Sequence, residues 1–498
     1  MRSILICFLI LGSLLGCFPG VAENKIDYNK ADLLTYRYYR EKNWDSVIVI
    51  GKQALRQDID FYYLRVRLGI AYFEKQEYFP AATHLKKARQ FNSEDPFIAN
   101  YLYYAYLYSN REEEAALLQP SMTEDAQKTA KLKNGIVQEV YAEGGYTISG
   151  NRNPKNSSSL MGDDSIYGEQ DLYGNSIYGN LGLRLRVSNR VNLTLAYNYL
   201  NFTKTKYIQY GRNEAHLDTI TDNVLSRDYF YSYPLKIHDT AFKYNVIQHE
   251  GYVSATVMAP GQIKVSPAVH LIHVSYPAIN ASSRTDSLSD TAYFTHIDST
   301  YHMFKYPIIV YSFSEKDTSL NNWVVSLCLS KGFGNFNIGL NGSWSNLNGK
   351  TQQQAGLSLT YFPLGNLNLY GTTSATGFFQ SKDKRLLFSQ MVGVKITTWM
   401  WYEADFYYGD YTNANIFNGS IVYNNSDIID YRGGATLMFF LGKHIRLSLI
   451  YQYFRKESLQ YYYIKTQDPV TNEINEIQQT KKNPYNTNAL IGGITWKL

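Results

Sequence analysis

The chain has 498 residues, a net charge of +5 spread along its length, 18% charged residues and 15% aromatic ones. A charge so small and dispersed argues against nucleic acid as a partner, and the length allows two or three domains. Its 46 tyrosines are far beyond ordinary usage and belong to boundaries between water and an apolar phase.

Residues 1–22 read MRSILICFLILGSLLGCFPGVA. One Arg precedes an apolar core of signal-peptide length, and Gly20-Val21-Ala22 offers small residues at the recognition positions, so cleavage is expected after Ala22. Leu14-Leu15-Gly16-Cys17 has the outline of a lipoprotein signal instead, although Leu15 stands where a small residue is usual. Either signal directs the chain out of the cytoplasm. Of Cys7, Cys17 and Cys328, only Cys328 would survive cleavage at Ala22, which excludes a disulfide framework and a thiolate metal site. No later segment carries about 20 consecutive apolar residues, so no membrane-spanning helix is expected. A barrel is untouched by that test, because its strands alternate.

Residues 23–134 are expected to be helical. In LGIAYFEKQEYFPAATHLKKA (68–88), Leu68, Gly69 and Tyr72 fall on a first helix, and Ala81, Leu85 and Ala88 on a second. Small residues let the two helices approach and large ones fill the space between. A step of about 34 residues links Leu34, Leu68 and Leu102, and Tyr38, Tyr72 and Tyr106. The same step links Ala81 with Ala115 and Ala54 with Ala88, and Trp44 opens the second helix of the first unit. The stretch 28–118 therefore resembles about two and a half tetratricopeptide repeats. Pro120 interrupts the third unit, and 122–133 is expected to cap the stack. The resemblance implies a concave surface that receives a partner protein.

From 135 to 498 the period changes to two. YGNLGLRLRVS sets Leu181, Leu183, Leu185 and Val187 against Gly182, Arg184, Arg186 and Ser188. NFNIGLNGSWS, AGLSLTYF, YEADFYYG and IRLSLIYQYFRK repeat the pattern. Tight turns near 189, 260, 333, 364, 398 and 443 take turns with the longer polar connections 150–173, 209–238, 278–320, 346–351, 381–384, 412–427 and 461–484. Fourteen strands result, an even number with both ends on the short-turn side, which is the asymmetry of an outer-membrane barrel. The expected fold is thus α + β and multidomain: helical repeats in the periplasm, then a 14-stranded antiparallel transmembrane β-barrel in contact with the lipid bilayer. The last stretch, ALIGGITWKL, alternates too and is expected to close against the first strand. Trp399, Trp401 and Trp496 are placed at the periplasmic rim, Trp323 and Trp344 near the outer one.

No catalytic, metal or cofactor motif stands out, and no enzyme is expected. His270 and His273, three apart on a strand, point to opposite faces. His296 and His302 with Asp286, Asp290 and Asp298 read as a solvated loop. The face expected to line the lumen carries Arg184, Arg186, Lys264, Lys395, Glu403, Asp405, Arg446 and Lys497. Like charges two residues apart call for counter-charges, water or an anionic cargo. Repeats followed by a barrel resemble the exporters of exopolysaccharide, such as those for cellulose and poly-N-acetylglucosamine, and the smaller YaiO-like proteins. That resemblance implies export or assembly of an envelope polymer. A barrel used as an anchor, with repeats that dock an envelope or secretion-machinery protein, is the alternative.

Overall fold

A computed structural model describes residues 25–130, 135–151, 165–214, 216–221, 227–232, 235–294, 301–424, 426–467 and 474–498. The expected leader 1–22, and His296 with Asp298, lie outside the described residues. The chain divides into two compact units, Met1–Lys131 and Leu132–Leu498.

The first unit is a run of helices: α1 (Tyr28–Arg40), α2 (Trp44–Arg56), α3 (Tyr62–Glu74), α4 (Tyr78–Phe91), α5 (Pro96–Tyr108), α6 (Glu112–Leu118) and α7 (Glu124–Lys128). Asp27, Asn43 and Asp95 cap α1, α2 and α5 by accepting backbone N–H bonds from Lys30, Ser46 and Phe97. The helices form hairpins with a period of 34, and the backbone itself keeps it. Lys42, Gln76 and Asn110 turn each hairpin at φ of 54°, 62° and 56°. In each, the N–H of the residue just before the second helix closes back onto a tyrosine carbonyl: Asn43 on Tyr38, Glu77 on Tyr72 and Arg111 on Tyr106.

Leu68, Tyr72, Ala81, Leu85, Ala88, Leu102, Tyr106, Ala54 and Ala115 are buried in this unit, and Gly69 with them. Leu34 and Tyr38 are half-buried; in α1 it is Ala31 and Thr35 that are enclosed. A Cβ on Gly69 would lie 2.6 Å from the Leu85 side chain, so the approach of α3 to α4 depends on that glycine. α6 ends at Leu118 and a 3₁₀ turn carries Pro120.

His84 titrates this unit. The Arg65 guanidinium lies 3.0 Å from its Nδ1 and donates to it, and the Tyr72 ring stacks on the imidazole at 5.4 Å. Burial, aided by the Arg65 and Lys52 charges, lowers the imidazole from its ordinary value to about 4. The folded form therefore holds His84 neutral while the unfolded chain protonates near 6.5. Its contribution is complete above pH 6.5 and is lost as the pH falls through 4. Acid titration of residues 23–131 followed by circular dichroism should show unfolding across that window. His84→Gln should flatten the loss, which amounts to roughly 1–3 kcal/mol.

The second unit is a closed antiparallel barrel in the order β1-β18-β17-β16-β13-β12-β11-β10-β9-β8-β7-β6-β3-β2. Fourteen strands form the ring: β1 (Val137–Ser149), β2 (Ser165–Ser188), β3 (Val191–Asn213), β6 (Leu235–Ala259), β7 (Ile263–Phe294), β8 (Tyr301–Phe333), β9 (Phe336–Ser345), β10 (Gln352–Tyr361), β11 (Leu369–Gln380), β12 (Asp383–Lys395), β13 (Met400–Tyr408), β16 (Ile428–Leu441), β17 (Ile445–Gln467) and β18 (Ile474–Lys497). β4 (His216–Thr221) pairs with β5 (Arg227–Ser232), and β14 (Asn415–Ile416) with β15 (Ile421–Val422), apart from the ring. β18 closes the ring on β1, with Glu139 opposite Lys497 and Tyr146 opposite Leu490.

Strand parity separates the two faces. Leu181, Leu340, Leu357, Leu386, Leu490 and Trp496 are among the exposed large side chains on the outer face. Such a belt cannot rest in water and calls for lipid. Several connections expected to be loops are strand instead. β7 and β8 run on together to Phe294 and Tyr301, and β17 and β18 continue into the polar stretch 461–484, paired as far as Gln467 and Ile474. Beyond the belt both faces of a strand meet water, so alternation fades while the hydrogen-bond ladder continues.

Candidate functional site

The lumen holds the unexpected feature. The polar connection 412–427 is expected as an outward loop; the structure folds it, from Gly409 on, inward. It crosses the barrel interior and bonds to the inner face of strand after strand. Asn415 bonds two strands: its Nδ2 donates to Ser343 Oγ on β9 at 2.9 Å, and its backbone N–H donates to Gln354 Oε1 on β10 at 3.1 Å. Gln354 Nε2 returns a bond to the Asn415 carbonyl at 3.0 Å. The Asn418 carbonyl accepts from Ser326 Oγ on β8 at 2.7 Å and from the Tyr252 hydroxyl on β6 at 3.3 Å. Its side chain donates to the Ser266 carbonyl on β7 at 2.8 Å. Asn424 reaches Asn322 on β8 at 3.2 Å.

Two arginines fix the ends of this segment. Arg385 on β12 forks onto the carbonyls of Asp410 and Thr412 at 2.8 and 3.1 Å, and pairs with the Asp410 carboxylate at 2.7 Å. Its guanidinium lies 3.9 Å over the Phe378 ring. Arg432 on β16 donates to Tyr423 Oη at 2.7 Å and to Asp405 Oδ1 on β13 at 2.8 Å. Asp405 has room to turn toward it because Gly434 lies beneath: a Cβ there would overlap the carboxylate at 2.0 Å.

At the centre sits His270. Nδ1 donates to the Gly419 carbonyl at 2.7 Å, and Nε2 meets Glu250 Oε2 at 3.0 Å. Glu250 also accepts from Asn198 at 2.8 Å and from Gln248. A carbonyl can only accept, so the histidine–carboxylate pair carries a proton on Nδ1 and a further hydrogen between Nε2 and Glu250. The segment also carries apolar packing. Tyr411, Ala414 and Ile416 join Phe378, Leu387, Tyr407 and Ile429, while Val422 packs beside Val324, Ile272 and Leu347.

A second device lies beyond the segment. β16 accompanies β17 only as far as Glu457. Past that point β2 takes the vacated edge, with Gln170 opposite Gln460 and Tyr167 opposite Tyr463. To do so β2 parts from β1 at Ser176 and passes over the mouth of the barrel. Gln170 donates to Ser458 at 2.7 Å in a buried contact, and Leu172 and Ile208 are enclosed below it.

The charged residues expected in the lumen fall at the short-turn end or along the wall. Glu139 stands in register between Arg184 and Lys497, and pairs with Lys497 at 3.2 Å. A carboxylate between two cations answers the question of like charges there. The Arg186 N–H donates to the Ile136 carbonyl. Arg446 donates to Thr495 at 3.1 Å, and Glu403 accepts from the Tyr370 hydroxyl. Lys395 lies over the Trp401 ring at 5.7 Å. Trp401 stands second in β13, beside the short turn, and faces inward against Phe440, while Trp399 and Trp496 are exposed. His270 and His273 do point to opposite faces, buried and exposed. Among the described residues, no group of three or more His, Cys, Asp or Glu could hold a metal ion. Sequence reasoning missed Arg385, Arg432, Glu250 and the segment itself. The one available signal was its five asparagines within 409–427.

No family model matches the chain, and neither does any curated protein sequence. Among solved structures, the P. putida toluene transporter TodX is similar at 9% identity and a TM-score of 0.35, over 79% of this chain and 94% of that one. A Pseudomonas aeruginosa FadL homologue is similar at 9% identity and a TM-score of 0.36, over 73% and 90%. Acinetobacter baumannii Omp33 is similar at 7% identity and a TM-score of 0.30, over 73% and 100%. Likeness at that level carries no argument about function, and the architecture rests on the strand register.

Asp427 ends the segment just before β16. Its carbonyl accepts from Thr412 at 3.0 Å and its carboxyl accepts from the Tyr485 hydroxyl. Burial pushes the Asp427 carboxyl up to about 7, against the opposing Tyr485 bond and Lys456 charge. Its seated form therefore keeps a proton that a released, hydrated form gives up near pH 4. Seating is fully favoured below pH 4 and weakens as the pH rises through 7. Limited proteolysis within 409–427 should accelerate several-fold across that range, and Asp427→Asn should remove the pH dependence.

Proposed function

We propose that this chain is a gated outer-membrane conduit for a polar cargo, shut in the present state by the inward segment 409–427. The short-turn end, where the barrel strands start and finish, faces the periplasm together with the helical unit. The observation that carries this reading is the way the segment is held: amide side chains and backbone carbonyls bonded to β6, β7, β8, β9 and β10. Water can replace each such bond at a net cost of only about 0.5–1.5 kcal/mol. A filler held this way can leave and return. Below it the wall stays charged and polar, with Glu139, Lys497 and Arg446 engaged. A hydrated path for a polar molecule needs that lining. An envelope polysaccharide is a cargo of this class. The 34-residue hairpins are read as tetratricopeptide-type repeats, and a periplasmic protein that delivers or modifies the cargo is their partner. No enzymatic step belongs to this reading.

One observation favours a second reading. The β2–β17 ladder across the mouth is a backbone seal, which suits a barrel that serves only as an anchor for the helical unit.

Planar-bilayer conductance separates the two. The wild type should be silent. Replacement of 411–424 by a glycine–serine linker of equal length should give steps at least tenfold above background. Arg385→Ala combined with Asn418→Ala should give transient openings. Silence in all three, with the proteins folded and inserted, would leave the anchor reading.

A further inference from the structure

On β3, β6, β7 and β8 a row of polar side chains interrupts the apolar outer face. Tyr199 on β3, His249 on β6, His273 on β7 and Asn321 on β8 stand opposite one another in a single register row. His249, His273 and Asn321 are exposed, away from the lumen. The next row toward the short turns is Tyr197, Gly251, Leu271 and Trp323; the row after it is Leu195, Val253, Val269 and Val325. From the turn at Ala259 to His249 is ten residues, about 33 Å of strand, or ~25 Å of height at barrel tilt. That is the height of the hydrocarbon band, so the polar row lies at its outer edge.

Several donors of this row are unspent among the described residues. Tyr197 lies 2.6 Å from His249 Nδ1; with the phenol donating, the ring hydrogen sits on Nε2, which has no partner among the described residues. His273 Nδ1 donates to Asn321 Oδ1 at 2.7 Å, and Ser275 stands 3.1 Å from its Nε2. That leaves the Asn321 amide hydrogens free. Tyr199 accepts from Asn201 at 3.3 Å and keeps its own hydroxyl hydrogen. A row of free donors suits a group rich in acceptor oxygens.

Two hollows adjoin the row. One, about 460 Å³, is walled by Tyr197, His249, Leu271, His273, Asn321 and Trp323, and opens over Gly251, whose Cβ would meet nothing within 4 Å. The other, about 550 Å³, lies lower and is lined by Val325, Leu327, Leu329, Leu340, Gly342 and Trp344. Trp323 and Trp344, edge to face at 5.5 Å, stand between them. An upper hollow bordered by His249, His273 and Asn321 at the edge of the band, and a lower apolar one within it on neighbouring strands, match the two ends of one lipid.

We propose that this face seats a phosphorylated lipid of the outer leaflet. Its phosphate meets the His249, Asn321 and Tyr199 donors, and an acyl chain lies in the lower hollow. The seat rests on the reading that the barrel spans the outer membrane.

The test uses the whole chain in nanodiscs containing diphosphoryl lipid A or its dephosphorylated form at equal fractions. Insertion is scored first, by migration of unheated protein, and bound lipid then by native mass spectrometry after detergent release. The wild type should retain diphosphoryl lipid A at least roughly tenfold over the dephosphorylated form. His249→Ala with His273→Ala should abolish the preference. Gly342→Phe, whose side chain enters the lower hollow, should reduce retention of both lipids. Millimolar inorganic phosphate should displace neither. Failure to insert would overturn the membrane reading and the seat with it. An inserted barrel that retains both lipids equally, a double variant that behaves as wild type, or displacement by phosphate alone would overturn the seat and leave the conduit untouched.

Discussion

A ring of fourteen strands encloses more space than its inward side chains can fill. The rest of the barrel answers that one constraint. Antiparallel closure removes every free edge, and β18 against β1 completes it. Closure at this strand number then leaves a lumen that must hold water or protein. Here 409–427 supplies the protein. Its asparagines supply donors and acceptors in pairs, and such a chain can lie against a polar wall without stranding its own backbone.

How the filler is held decides what the barrel can do. Arg385 and Arg432 clamp its two ends, and His270 with Glu250 holds its middle. Between the clamps, single hydrogen bonds alternate with patches of aromatic packing around Tyr411 and Tyr423. Arg385 pairs charge with charge on Asp410 of the segment, whereas Arg432 and His270 reach it by hydrogen bonds and keep their charge partners, Asp405 and Glu250, on the wall, so removing either partner leaves a charge exposed to a poorly hydrated site. Movement therefore requires the segment to leave as a unit, with water entering behind it. The β2–β17 ladder lies across the same exit, so the two closures act in series.

Much of this architecture was legible in the residues. The count of fourteen came from period-two runs and from short turns taking turns with long connections, both of which are local signals. The helical period was legible because Leu34, Leu68 and Leu102 recur in step, and the left-handed residues Lys42, Gln76 and Asn110 keep the same step. The plug was not legible. Gln354 is 61 residues from Asn415, and His270 is 149 from Gly419; an asparagine-rich stretch looks the same whether it solvates a loop or lines a lumen. Trp401 lies beside the tight turn, as a rim tryptophan should, and its register with the inward Lys395 sets the face it presents. The strands beyond the belt were missed because water on both faces erases alternation. Arg385 and Arg432 sit in ordinary polar contexts, and only the fold brings Asp410 and Asp405 to them.

The claim on which all of this turns is that 409–427 lies inside the barrel. Ala414 is fully enclosed there and is small enough to become cysteine without distortion. In a chain with Cys328→Ser, refolded from residue 23, the labelling rate of Ala414→Cys by a bulky charged maleimide can be compared with that of Lys382→Cys in the turn between β11 and β12. Labelling at 414 should be slower by a factor of at least about one hundred, and should accelerate when Arg385→Ala and Asn418→Ala are added. Equal rates at 414 and 382 in the otherwise unaltered barrel would place the segment outside and contradict the account.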